Sequence, residues 1–354
     1  MELLITIVAF LAVLAVLIIA HELGHFTTAK AFGVKVEEFS LGFPPRLLSK
    51  KLGETRYSLS AIPLGGFVKM AGEVDPKEPR SLASKGVGAR ILVLSAGSLM
   101  NFLLPLLLFS IAFMVPHNMV TGEVVVQEVA PNSPAAMAGI DSGYTILSVN
   151  EHPVHNISDL HRYIRLNLGK ETTLVVSRGD STTEEVQLIP RWKPPEGEGA
   201  IGVVVSMPTP TIVRQSEPFW EAIPLGVKEC IETFVLFKNA ILGLFIGTET
   251  FQVGGPVAIA QITGEVAKAG ISPLLEFAAF LSINLAIINI FPLPALDGGR
   301  IVFVLLEWVR RGKRISPKTE GLIHAIGFIL LMAAILAITY QDIIRIISGE
   351  SLIP

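Results

Sequence analysis

The sequence predicts a polytopic α-helical membrane protein. It has four transmembrane helices, a membrane-associated β-hairpin and a small α+β domain inserted on the extracytoplasmic side. Three observations carry this. The 354 residues are 51% hydrophobic and only 17% charged, with a mean hydropathy of +0.58, far from the balance of a soluble domain. Four long apolar stretches are joined by connectors of which two are strongly basic. Between the second and third stretches, short β-branched runs alternate with turns.

The first span runs from Leu3 to Ala29. It reads as retained, because Glu2 is the only charge ahead of it and no small-residue cleavage site follows. The second covers about Ile91–Val115. The third, about Leu274–Leu296, is interrupted by NIFPLPALDGG, and the fourth covers about Leu322–Ile347. The connector Lys30–Arg90 carries eleven Lys and Arg, and the loop Arg310–Lys318 carries five. The positive-inside rule puts both in the cytoplasm and both termini outside, which four spans satisfy. Phe219–Gly247 is apolar enough to suggest a fifth span. However, Lys228, Glu229, Glu232 and Lys238 fall on about half of a helical wheel. An amphipathic interfacial helix is predicted there, with a tilted or re-entrant segment as the alternative. Arg56–Met70 (RYSLSAIPLGGFVKM) reads as a hairpin of two strand-like runs around Pro63–Gly66, on the cytoplasmic side. The insert, about Val120–Trp192, holds GEVVVQEV, TILSVN, TTLVVSR and EEVQLI, with one amphipathic stretch, SDLHRYIRLN. The chain thus divides into 1–115 (spans one and two with the hairpin), 116–193 (the β-rich insert), 194–272 (linker and amphipathic segment) and 273–354 (spans three and four).

Composition narrows the chemistry. A net charge of −3 gives no case for nucleic acid as a partner. One cysteine, Cys230, cannot form an internal disulfide or a four-cysteine site, so any metal must rest on His, Asp or Glu. His21-Glu22-x-x-His25 at the end of the first span puts two imidazoles one helical turn apart. They can share a zinc ion, with Glu22 between them as a general base for a zinc-bound water. Hydrated groups at a helix end are the ordinary alternative, but ionisable residues at membrane depth default to a functional reading. A catalytic zinc needs a third protein ligand. His117, His152, His155 and His161 lie in or beside the insert. His324, in span four near the cytoplasmic side, reads as a hydrated or helix-packed histidine. Asp297 is the better candidate: spans one and three run in the same direction and carry these groups at the same end. Zn²⁺ with one Asp and one Glu carboxylate is neutral, which lowers the cost of burial. Pro292 and Pro294 break the helix before Asp297. Broken backbone at membrane depth is tolerated where it lines a cavity or is buried in protein. Asn289, in the same segment, could donate to substrate or to a developing oxyanion.

These residues resemble a known family. HELGH in the first span, with Asn289, Pro292, Pro294, Leu296, Asp297 and Gly298 matching N-x-x-P-x-P-x-L-D-G, is similar to the site-2 protease family of intramembrane zinc metalloproteases. Gly97 and Asn101 fit its G-x-x-x-N motif, and PLGGFVKMAGE, with Gly65, Gly66 and Phe67, also agrees. SPAAMAGI followed by a strand and Asn150-Glu151 resembles a PDZ domain of the bacterial protease type. Asp141-Ser142-Gly143-Tyr144 stands where a Pro-Gly-Asp turn is usual. The whole is most similar to the RseP-like bacterial group in a form with one PDZ domain. The resemblance implies zinc on His21, His25 and Asp297, Glu22 as general base, and Asn289 in substrate positioning or transition-state stabilisation. It implies a multi-pass protein of the bacterial inner membrane that cleaves single-span membrane proteins, such as anti-sigma factors or signal-peptide remnants. The PDZ-like domain would contact substrate or a partner's chain end. An exposed edge of the hairpin, at Leu59 or Val68, could pair with unwound substrate. A membrane metal-ion transporter is the alternative. It is disfavoured by Glu22 and by the lack of visible internal repeats. A non-catalytic membrane scaffold is a third reading, disfavoured by the intact His21, Glu22, His25 and Asp297.

Overall fold

In the computed structural model, residues 2–73, 75–179, 182–248 and 254–348 are described, without the side chains of Pro63 and Leu64. Met1 and the part of segment 273–354 beyond Ser348 lie outside the described residues. The chain runs α1 (Glu2–Ala31), β1 (Val36–Leu52), β2 (Thr55–Met70), α2 (Val87–Met114), β3 (His117–Thr121), β4 (Val124–Val129), α3 (Pro134–Met137), β5 (Thr145–Val149) and β6 (His152–Pro153). It continues with α4 (Ile157–Leu166), β7 (Thr172–Arg178), β8 (Thr182–Leu188), β9 (Val203–Ser206), β10 (Thr211–Gln215), α5 (Phe219–Ile246), α6 (Pro256–Ala269), α7 (Ile271–Ile290), α8 (Asp297–Val309) and α9 (Pro317–Ser348). Two compact units emerge, one from residues 1–112 and 253–354, the other from residues 113–252.

In the first unit, apolar runs fold as helices because hydrocarbon offers no partner to an open backbone amide. Among the described residues four helices are long and apolar enough to cross a membrane: α1, α2, α7 and α9. These are the four predicted spans, and the chain is a multi-pass membrane protein. The 30 residues of α1 rise about 45 Å, more than the hydrocarbon layer needs. α1 meets α2 at backbone distance: a Cβ on Gly24 would lie 2.2 Å from the Ala96 carbonyl oxygen. None of the spanning window of α9 is buried. Its one buried residue, Asp342, accepts from the Gly255 and Ala258 amides at 3.3 and 3.0 Å and so caps the start of α6.

The third span was read to Leu296, but α7 ends at Ile290 and Asp297 is the first residue of α8. Pro292 and Pro294 lack the amides a helix needs and disfavour helix in the residues before them. The hairpin is also not Arg56–Met70. Residues 38–41 lie between the two runs that were expected to pair. Phe39 faces Val68 and Tyr57, Ser40 faces Phe67 and Ser58, and Leu41 faces Gly66 and Leu59. The turn of the real hairpin is Gly53-Glu54, and Leu48–Leu52 pairs with Leu59–Thr55. The alternating burial of Val36–Gly42 is that of a central strand, while the rest of β1 is exposed. The backbone at Leu59 is therefore paired on both sides, and residues 66–70 form an edge.

The second unit holds a sheet in the order β8-β7-β5-β4-β9, with β6 beside β5, and a separate β3–β10 ribbon. Its core is Val124, Val126, Ile140, Ile146, Leu160, Leu174 and Val176 with their neighbours. The amphipathic stretch is α4: Asn156 caps it by accepting from the Asp159 amide at 2.9 Å, and Leu160 and Ile164 are buried. β9 pairs with β4, so the sheet draws in residues from the segment that was read as linker after 193. α5 is one continuous helix and is not among the candidate spans. Its Glu229 and Glu232 pair with Arg162 of α4, at 2.7 and 3.2 Å, and Asn239 donates to the Arg165 carbonyl.

Candidate active site

The site forms where α1, α2 and the start of α8 converge. His21, Glu22 and His25 share one turn of α1, with Glu22 and His25 buried. The Nδ1–H of His25 donates to the Val93 carbonyl of α2 at 2.8 Å. A carbonyl can only accept, so Nδ1 carries the proton and Nε2 keeps its lone pair. His21 meets Asn101 of α2: the two nearest atoms, Nδ1 and Nδ2, are 3.4 Å apart. Asn101 is fully buried, and its Oδ1 has no partner among the described residues. A carboxamide has nearly the same shape when turned over. The turned amide gives Oδ1 to an Nδ1–H on His21 and leaves Nε2 of His21 free as well. Ser282 of α7 donates to the Asn101 carbonyl at 2.8 Å and ties a third helix to this support.

The two Nε2 atoms are 3.2 Å apart, and Oδ2 of Asp297 lies 3.2 Å from each. Among the described residues this is the one group of three side chains spaced to share a metal ion. Tetrahedral zinc with ligands at 2.0–2.1 Å separates them by roughly 3.3 Å. Asp297 Oδ2 is buried and accepts no hydrogen bond. Three lone pairs thus face one point. A single shared proton can bridge only one edge of that triangle, whereas a dication serves all three. The space is guarded by Gly97, where a Cβ would stand 2.3 Å from His25 Nε2 and 2.6 Å from His21 Nε2. The donor set and the cradle both fit zinc.

Around this triangle the other expected residues fall unevenly. Gly66 packs on Glu22: a Cβ there would be 3.0 Å from the Glu22 Cγ and 2.8 Å from Ile18. Gly65 (φ +137°) leaves room for Phe43, which stacks on Phe67. The edge of the sheet therefore lies along the face of α1 that bears Glu22. Pro292 and Pro294 make the bend. Asn289 sits half-buried on the last turn of α7, and its amide makes no hydrogen bond among the described residues. His117 and His152, by contrast, spend Nδ1 on carbonyls of their own unit. Sequence reasoning passed over Gly24 and Val93. Gly24 was discoverable, being the small residue inside HELGH. The Val93 carbonyl, a backbone group, left no signal.

Comparison with known proteins agrees with this geometry. The profile of Peptidase family M50 matches residues 9–334. Zinc metalloprotease RasP of Geobacillus kaustophilus is 31% identical, over 96% of this chain and 97% of its own. A Clostridium perfringens protein with a provisional zinc metalloprotease name is 38% identical, over 96% of this chain and 98% of its own. RasP of Oceanobacillus iheyensis is 28% identical over 96% and 99%. The transporter alternative gains no support from any of these. The chain belongs to peptidase family M50, the site-2 proteases, and is a zinc-dependent metallopeptidase.

Proposed function

We propose that this metallopeptidase cuts peptide bonds inside the membrane-spanning segments of single-span proteins. The observation that carries the reading is the 3.2 Å triangle of His21, His25 and Asp297 with Glu22 beside it, on helices apolar enough to span a bilayer. His21, His25 and Asp297 hold the zinc, which supplies Lewis acidity to a carbonyl and to water. Glu22 takes the proton of the attacking water and returns it to the leaving amine. Val93 and Asn101 hold the imidazoles in the tautomer that presents Nε2. Asn289, with its amide uncommitted, donates to substrate or to the developing oxyanion.

A helical substrate must unwind before its backbone can be attacked. The edge strand offers backbone groups of residues 66–69 to the unwound segment, the Met70 amide being taken by Glu73 at 3.2 Å. The two basic loops point to a topology with the site on the cytoplasmic side of a bacterial inner membrane and both termini outside. The β-rich unit is read as a PDZ-like extracytoplasmic domain that contacts substrate or a partner's chain end. Its sheet, with an amphipathic helix packed on it, supports that reading. α5 lies at the interface, its exposed Phe219, Trp220, Ile223 and Val227 toward lipid. Candidate substrates are anti-sigma factors and signal-peptide remnants.

The test is Glu22→Gln in detergent-solubilised protein, read by zinc content and by cleavage of a single-span substrate. Zinc retained with cleavage lost is expected. Persistent cleavage removes Glu22 from the reaction.

A further inference from the structure

The bend between α7 and α8 has few backbone amides and one in an awkward place. Pro292 and Pro294 have none. Leu293 and Leu296 donate within the bend, to the Phe291 and Leu293 carbonyls at 2.7 and 3.2 Å. The Ala295 amide instead leaves the bend and donates to Nδ1 of His324 on α9 at 3.0 Å. Ala295 stands at φ +75°, a left-handed conformation that a residue with a Cβ adopts at a cost. It is two positions before Asp297, so its conformation sets where that carboxylate starts.

Two further observations give this contact its direction. Because Nδ1 accepts, Nε2 carries the ring proton, and Nε2 is buried with no partner among the described residues. The ring's one hydrogen bond is therefore the one to the bend. Three residues along the same face of α9 is Gly327. A Cβ there would be 2.2 Å from Pro294 Cβ and 3.0 Å from the Pro294 carbonyl carbon and oxygen. α9, with no residue of its spanning window fully buried, thus touches the bend at backbone distance with one glycine and one acceptor. Phe303 of α8 closes on the same ring, centroids 5.4 Å apart.

We propose that α9 clamps the bend and thereby sets Asp297. His324 is a positioning residue that acts through the Ala295 amide, and Gly327 permits the approach. This rests on the reading of Asp297 as the third zinc ligand. Without the acceptor, an open amide at membrane depth and a strained alanine both favour a different bend.

The test uses full-length protein in detergent. His324→Phe keeps a ring and removes the acceptor, while His324→Asn places a carbonyl oxygen where Nδ1 stands. The first readout needs no metal: hydrogen exchange of the amides of residues 291–297 in zinc-free protein. Ala295 exchange at least about tenfold faster in His324→Phe, and close to wild type in His324→Asn, is expected. The second is the rate of zinc release to a chelator, expected to rise about tenfold or more in His324→Phe and to be restored in His324→Asn. Unchanged exchange in His324→Phe overturns the clamp, as does a His324→Asn protein that releases zinc as fast as His324→Phe. Should His324→Phe fail to fold, Gly327→Ala presses on Pro294 from the same face of α9, and wild-type zinc release there overturns the proposal. Asp297→Ala, measured alongside, separates the two readings. Full zinc content in that variant sinks the ligand assignment, while the amide exchange still decides the clamp.

Discussion

Single atoms decide the metal site. Gly97 is the sharpest case, since any Cβ there occupies the place toward which both Nε2 atoms point. Gly97→Ala is expected to abolish stoichiometric zinc while far-ultraviolet circular dichroism stays helical. Asn101 is subtler. Asn101→Asp keeps an oxygen for the His21 Nδ1–H and is expected to retain zinc. Asn101→Leu, of similar size, is expected to weaken zinc affinity about 10–100-fold, as loss of an outer hydrogen bond to a ligating histidine does. Metal competition titrations measure both. At this scale the sequence was informative about His21, Glu22, His25 and Asp297, because their spacing and charge are written in side chains. It said nothing of the Val93 carbonyl that fixes the tautomer of His25. Nor did it show that His324, which packs on Phe303 of α8, accepts from Ala295, since that partner is a backbone amide in a bend whose path no periodicity encodes.

Elements obeyed the sequence wherever hydrocarbon left them no choice. The four spans were legible because lipid enforces helix. The sheet was not, because strand pairing depends on which neighbour arrives, and Val36–Gly42 inserts between two runs that look like partners. That insertion changes the substrate-pairing test. Leu59 is paired on both sides, so of the run Arg56–Met70 only residues 66–70 remain as an edge. Successive amides of a strand point to opposite sides, so one of Phe67→Pro and Val68→Pro breaks the pairing with residues 39–40 and the other faces outward. The outward one is expected to leave a folded protein that binds zinc and cleaves poorly. If both folded variants cleave normally, the edge plays no part. A second element-scale tie is Glu307 of α8, which accepts from Arg90 of α2 at 2.6 Å and from Arg314 at 3.0 Å. Burial raises its pKa, but the two guanidiniums outweigh burial and hold it below the ordinary value of 4.5. The ionised form is thus favoured by folding. The contribution is fully present above pH 4.5 and is lost as pH falls through the lowered value. Glu307→Gln is expected to cost about 3 kcal/mol near neutral pH, because it strands Arg90, which is 9% exposed. It should also flatten the acid limb of a thermal-melt series between pH 5 and 3.

For the whole molecule, the division into two units has a direct test. The second unit has its own apolar core and a sheet completed by β9. A fragment of residues 116–215 is expected to fold alone and melt cooperatively. One ending at residue 193 lacks β9 and is expected to melt at least about 10 °C lower. Equal melting would make β9 dispensable. The boundary at 193 was the natural reading because Pro- and Gly-rich sequence follows it. A four-residue strand supplied from beyond such a stretch carries too little pattern to be seen.

The triangle draws His21 and His25 from the first helix and Asp297 from the eighth. During synthesis, then, a growing chain holds two imidazoles and no carboxylate to complete them until α8 has emerged. The triangle is assembled late, after the chain's earlier helices have been made. A chain that stops anywhere before Asp297 lacks one corner of that triangle.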